Sequence, residues 1–124
     1  MFGELKVLIV DPSEDTSEVL RLVLERHGFR AVVAGTLGES AQILERFRPD
    51  VIVVDEEAGQ HPSAASARQS FVNSALRSGA KILVLGRLSL AGEKEDGSIA
   101  HLGKPYHYRQ LVGKINEITE LVAD

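Results

Sequence analysis

The stretch PDVIVVDEEAGQ, residues 49–60, places four branched apolar residues between a proline and three consecutive carboxylates, Asp55, Glu56 and Glu57. A run of four is too short for a helix and shows no polar alternation, which is how a strand covered on both faces reads. Pro49 breaks whatever precedes it. Working outward, Lys6 to Val10 (KVLIV) and Lys81 to Leu85 (KILVL) read the same way, and Phe29 to Ala34 (FRAVVA) and Ile99 to Leu102 supply two further strands. Between the strands the period changes. From Thr16, Val19, Leu20, Val23 and Leu24 form a helical stripe, with Asp15 and Glu18 as a capping pair and Gly28 as a stop. Glu39 to Phe47 predicts a second helix with Ala41, Ile43, Leu44 and Phe47 inward. A third carries Ala64, Ala67, Phe71, Val72, Ala75 and Leu76 and ends at Gly79. Tyr108, Leu111, Val112, Ile115, Ile118, Thr119 and Val122 give the cleanest stripe. The segment Gly86 to Gly97 (GRLSLAGEKEDG) holds three glycines and no sustained apolar period, so a fourth helix there is short or irregular.

Strand and helix alternate, and the strands are continuously apolar, so the pattern predicts an α/β fold: one doubly wound five-stranded parallel sheet with helices on both faces. At 124 residues and 44% hydrophobic, the chain is the size of one domain, 1–124, with a core that needs no metal or disulfide. It has no cysteine, which excludes thiol catalysis. Its apolar runs fall far short of the roughly 20 residues that cross a bilayer. MFGELK also lacks a secretory pattern, so a soluble, cytoplasmic protein without membrane contact is expected. A net charge of -4 without a Lys/Arg cluster argues against direct nucleic-acid binding. DNA would be met through another protein or chain.

In open parallel sheets ligands sit at the carboxyl ends of the strands, near the point where strand order reverses. Those ends carry Asp11, Asp55 and Gly86, and the last strand is followed by Gly103, Lys104 and Pro105. Carboxylates a few ångströms apart repel and persist together only around a cation. Lys104 or a divalent metal fills that role, and an all-oxygen donor set with open positions suits Mg²⁺. An aspartate beside Mg²⁺ and a lysine suits formation of an acyl phosphate, in which the carboxylate attacks phosphorus while the cations offset developing charge.

Four landmarks stand in order: VLIVD (7–11), a helix ending in HGF (27–29), PDVIVVD (49–55) and GKPY (103–106) before an amphipathic helix. With them the chain resembles, over essentially its whole length, the receiver domains of bacterial two-component response regulators. The resemblance implies a flavodoxin-like five-stranded sheet, Asp55 as phosphoacceptor, Asp11 in an acidic metal pocket, and Lys104 as the phosphate-contacting lysine before a cis-proline, Pro105. It also implies that phosphorylation reshapes the surface around the fourth helix, fifth strand and fifth helix.

The departures identify an atypical member. Receivers usually carry two adjacent acids after the first strand, and here the second is Pro12, which removes one Mg²⁺ ligand. The Ser or Thr whose hydroxyl normally bonds the phosphoryl group is Gly86, and the Tyr or Phe three residues before the lysine is His101. The loop after Asp55 is EEAGQHPS instead of a Met-Pro-Gly-rich segment, and the stretch from Gly86 to Lys104 is short. Glu57, two residues after Asp55 and on the same side of an extended chain, is a candidate replacement ligand beside Asp11 and Asp55. Glu56 reads as a solvent-facing neighbour. Arg87 is a candidate internal counter-ion for Asp55, set against an ordinary surface arginine. His101 reads as a partly buried group at a switch position, with packing as its plainer role. His61, His101 and His107 lack zinc-ligand spacing, and the run Glu93 to Asp96 reads as a solvated turn.

Three functions compete. A flavin or dinucleotide site needs a Gly/Ser/Thr-rich phosphate cradle after the first strand, whereas DPSEDTSE (11–18) is acidic, and no Asp-x-His-x-x-Gly cobalamin pattern occurs there. The retained Asp11, Asp55 and Lys104 favour a phosphorylatable receiver with Mg²⁺. Pro12, Gly86 and His101 favour a phosphorylation-independent pseudo-receiver that acts as a protein-protein interaction module. The expected reading is the receiver, not a turnover enzyme, exchanging phosphate at Asp55 with a sensor histidine kinase or phosphotransfer protein. Output passes to a downstream protein through the fifth strand and helix, where Tyr106 and Tyr108 are candidate anchors; a homodimer is a further option.

Overall fold

The apolar runs form strands because each must serve two cores at once. The computed structural model of the chain describes residues 4–60, 65–88, 90 and 98–123. Its strands are β1 (Lys6–Val10), β2 (Arg30–Ala34), β3 (Val51–Asp55), β4 (Lys81–Leu85) and β5 (Ile99–Leu102). They pair in parallel in the order β2-β1-β3-β4-β5. Alternate residues face opposite ways. Leu8, Val10, Ile52, Val54, Ile82 and Val84 enter one core, while Val7, Ile9, Val51, Val53, Leu83 and Leu85 enter the other. The expected α/β sheet is therefore the observed one.

Helices α2 (Leu37–Phe47) and α4 (Ala65–Ser78) cover the first core through Leu37, Leu44, Phe71, Val72 and Ala75. Helices α1 (Glu14–Arg26) and α5 (Tyr108–Ala123) cover the second through Leu20, Leu24, Leu111, Ile115 and Ile118. The ends of the central strands lie level. Val10 is opposite Val54, and Asp55 is opposite Leu85, so the residues that follow β1 and β4 share a rim with Asp55.

Helix boundaries differ from the periodicity reading where a cap decides. Helix α1 starts at Glu14, with Ser13 as the capping residue that accepts the Thr16 N–H, instead of an Asp15–Glu18 pair. A serine hydroxyl on extended backbone satisfies one of the otherwise unpaired first-turn amides. Val19 is 43% exposed, so the buried stripe of α1 is narrower than its apolar content. Helix α2 starts two residues earlier than expected. Thr36 accepts the Glu39 N–H there, and the Glu39 carboxylate reaches back to the Gly35 N–H. The buried Ser40 occupies the inward position that Ala41 was expected to take, and Ala41 is exposed.

A helical turn absent from the sequence reading, α3 (Glu56–Gln60), follows β3 directly. Its local cause is Asp55, whose Oδ2 accepts the Glu57 N–H at 2.9 Å and so turns the chain at the strand end. Residues 91–97, which hold most of the segment expected to be a short or irregular fourth helix, lie outside the described residues. So do His61, Ala64 and the side chain of Val122.

Candidate functional site

Asp11 follows β1 and is 3% exposed. Its N–H donates to the Ala34 carbonyl, which ties it to the end of β2, and its Oδ1 accepts the Ser13 N–H at 2.9 Å. Its Oδ2 is buried and has no hydrogen-bond partner among the described residues. Asp55, the last residue of β3, is 4% exposed, and its Oδ1 lies 2.6 Å from Lys104 Nζ. Lys104 comes from the segment after β5, where the Lys104–Pro105 peptide is cis, as the resemblance implies.

Carboxylate oxygens of Asp11, Asp55 and Glu57 all lie within 4.8 Å of one another. Glu57 was expected there on an extended chain. It reaches the cluster from a helical turn instead, because the Asp55 side chain bends the backbone. Pro12 contributes no ligand atom, so the third carboxylate comes from the other side of the switch point.

The electrostatics follow from burial and crowding. Burial pushes the Asp11 carboxyl above its ordinary value of 3.8; the Ser13 N–H and Lys104 oppose this, and the charges of Asp55 and Glu57 add to it. For Lys104, burial favours the neutral amine, but the hydrogen bond and charge of Asp55, with Glu56 and Glu57, outweigh it and raise the ammonium's pKa. Burial pushes the Tyr106 hydroxyl up to about 12, with the nearby charge of Asp55 adding to it. Tyr106 packs against the second core, whereas Tyr108 is 46% exposed, so of the two tyrosines Tyr108 offers the larger surface.

The remaining sequence-predicted positions are arranged differently. Arg87 is exposed and does not reach Asp55 with its side chain. Its backbone does the work, accepting from Gln60 Nε2 at 2.8 Å and donating its N–H to a Glu56 carboxylate oxygen. His101 is exposed instead of partly buried, with Nε2 3.1 Å from the Leu88 carbonyl. Glu56 does not face solvent. Its side chain is about three-quarters covered, and its carboxylate lies 3.9 Å from Lys104 Nζ. Gly86 has φ 99°, and a Cβ there would fall 2.1 Å from Glu56 Oε2. Two features signal the role of Glu56 in sequence. One is a glycine at the end of β4 that leaves room; the other is two successive acids after Asp55, which a helical turn must point in different directions.

The five-stranded parallel fold is shared with solved receiver domains. A CheY-like receiver domain from Methanospirillum hungatei JF-1 superposes with a TM-score of 0.75 at 24% identity, covering 95% of each chain. A two-component response regulator from Clostridium difficile gives 0.75 at 19% identity over 98% of this chain and 100% of that one. The chemotaxis protein CheY4 of Vibrio cholerae gives 0.73 at 20% identity over 94% and 99%. The chain has the response regulator receiver fold. Within this receiver fold Asp11 directly follows β1, Asp55 ends β3 and Lys104 lies two residues beyond β5. The receiver-fold chain is also 26% identical over 114 residues to the transcriptional regulatory protein YxdJ of Bacillus subtilis, a match covering 89% of this chain. The match takes in 48% of that protein, so the chain spans about half the length of the curated relative it matches. No protein-family model matches the chain. No helix among the described residues is long and apolar enough to cross a membrane.

Proposed function

We propose that the chain is a receiver domain of two-component signalling that takes a phosphoryl group onto Asp55 from a sensor histidine kinase or a phosphotransfer protein. The observation that carries this reading is the buried Asp55 carboxylate held 2.6 Å from the Lys104 ammonium, beside the carboxylates of Asp11 and Glu57. In the transfer, an Asp55 oxygen forms a bond to phosphorus as the donor's P–N bond breaks, and the departing imidazole keeps the electron pair and takes a proton. Lys104 holds Asp55 in place and stands beside the oxygens of the incoming group.

The donor set fits Mg²⁺: three carboxylates, all oxygen, one of them with an orphaned buried oxygen at Asp11 Oδ2. Asp11, Asp55 and Glu57 would hold the ion, and when bound it supplies positive charge opposite the phosphoryl oxygens. Glu57→Ala is expected to weaken Mg²⁺ binding by on the order of tenfold or more, since a hard cation loses one of few protein ligands. Titration followed by amide NMR checks this, and equal affinities would remove Glu57 from the ligand set.

The domain acts by presenting a surface, and its chemistry is confined to gain and loss of phosphate at Asp55. Output runs through β5 and α5, with the exposed Tyr108 as anchor for a downstream protein. The regulator YxdJ is named for transcription; a comparable output here would pass through another protein or chain segment. Incubation with acetyl phosphate, or with beryllium fluoride, in Mg²⁺ tests the reading by intact mass and amide NMR. A wild-type adduct that vanishes in Asp55→Asn is the expected result. No adduct and no Mg²⁺-dependent shifts near Asp55 would leave the pseudo-receiver interaction module, which Pro12 and Gly86 favour.

A further inference from the structure

The space beyond β4, where receivers carry a hydroxyl side chain, is filled here by another residue's carboxylate. A Cβ on Gly86 would meet Glu56 Oε2 at 2.1 Å and Glu56 Cδ at 2.3 Å. The same Oε2 accepts the Arg87 N–H, and Oε1 stands 3.9 Å from Lys104 Nζ, which itself lies 2.6 Å from Asp55 Oδ1. One carboxylate thus engages a backbone donor and an ammonium that flank the reactive aspartate, and the absence of a side chain at Gly86 is what admits it. A phosphoryl group on Asp55 carries close to two negative charges and seeks the same kind of donors.

We propose that Glu56 is a built-in competitor for the phosphoryl seat: in the unmodified protein its carboxylate holds Lys104 and the Arg87 N–H, and an anion entering at Asp55 must displace it. This rests on the phosphoacceptor reading of Asp55. Gly86 and Glu56 then form a functional pair, since any side chain at 86 contends with the Glu56 carboxylate for one volume. The clash falls on the far end of a flexible side chain, so Gly86→Ser displaces the carboxylate, and the φ of 99° at this position adds backbone strain to that substitution, which Glu56→Ala does not carry.

Beryllium fluoride with Mg²⁺ is the probe, titrated into wild type, Glu56→Ala, Glu56→Gln, Gly86→Ser and Glu56→Ala/Gly86→Ser and followed through the Asp55 and Arg87 amides. Glu56→Ala is expected to bind at about tenfold lower concentration than wild type, the equivalent of one charge-assisted hydrogen bond released. Glu56→Gln, which keeps the shape and loses the charge, falls between them. Gly86→Ser tightens binding alone and adds little in the Glu56→Ala background. Before any ligand is added, the Arg87 amide proton moves upfield in Glu56→Ala as its carboxylate acceptor is lost. Equal affinities in wild type and Glu56→Ala would overturn the competitor role while leaving Asp55 as phosphoacceptor. Binding in neither would overturn both readings. Binding in Glu56→Ala alone would support the competitor role and count against phosphorylation of the wild-type chain.

Discussion

Asp11→Asn is expected to make the metal-free protein more stable and to abolish the stabilisation by Mg²⁺ that the proposed site would give. Asp11 is 3% exposed, its Oδ2 has no partner among the described residues, and burial raises its carboxyl above the ordinary 3.8. A carboxyl whose folded value is raised binds protons more readily in the native state, so its ionisation opposes folding. The loss begins as pH rises past 3.8 and is complete above the folded value. Asparagine removes the charge, keeps the Ser13 contact through its carbonyl, and offers N–H groups to the Asp55 and Glu57 carboxylates. The gain expected at neutral pH is about 1–3 kcal/mol, the scale of one buried group left unsatisfied. Urea unfolding of both proteins from pH 4 to pH 7 checks it: the difference should widen as pH rises. Saturating Mg²⁺ reverses the ranking. At a hundred times Kd the ion stabilises the wild type by about 2.7 kcal/mol, and the variant should show no such gain. A variant less stable than wild type without metal would mean that Asp11 is satisfied in solution.

Lys104→Met has the opposite sign. The ammonium is the cation that the described residues place among Asp11, Asp55, Glu56 and Glu57, at 2.6 Å from the buried Asp55. Removing one partner of a buried pair leaves the other charge uncompensated, which costs about 3–5 kcal/mol when both are fully buried. Lys104 is 37% exposed, so water replaces part of what is lost, and the expected loss is about 1–3 kcal/mol. The two substitutions share the Asp55 carboxylate and should not add. Asp11→Asn is expected to restore more stability in the Lys104→Met background than it contributes alone. Simple additivity in a urea double-mutant cycle would show that the cluster does not act as one electrostatic unit.

What was legible in the residue pattern depended on whether a neighbour in sequence or one in space set the outcome. VLIV, VIVV and ILVL can only be strands that feed two cores, since four-residue apolar runs bury both faces of a pleat and are too short to bury a helix. Strand alternation with helices then places Asp11, Asp55 and Lys104 on one rim. The starts of α1 and α2 were less legible, because a single hydroxyl, Ser13 or Thr36, outweighed the apolar period in setting the first turn.

The opening run of acids shows where that reading stopped. The apolar strand, its end at Asp55 and the acidic character of the rim follow from the sequence itself, through the period of the side chains and the rule that ligands gather at strand ends. Only the tertiary structure decided what each carboxylate does. The turn imposed by Asp55 on the Glu57 N–H sends Glu57 toward Asp11 and turns Glu56 toward Lys104. There it fills the volume left by a glycine 30 positions further along the chain, and two adjacent residues of one chemical type face different partners. Linear spacing could not reveal this, because the deciding contacts are made by β4 and the segment after β5, which meet Glu56 only when the sheet is assembled.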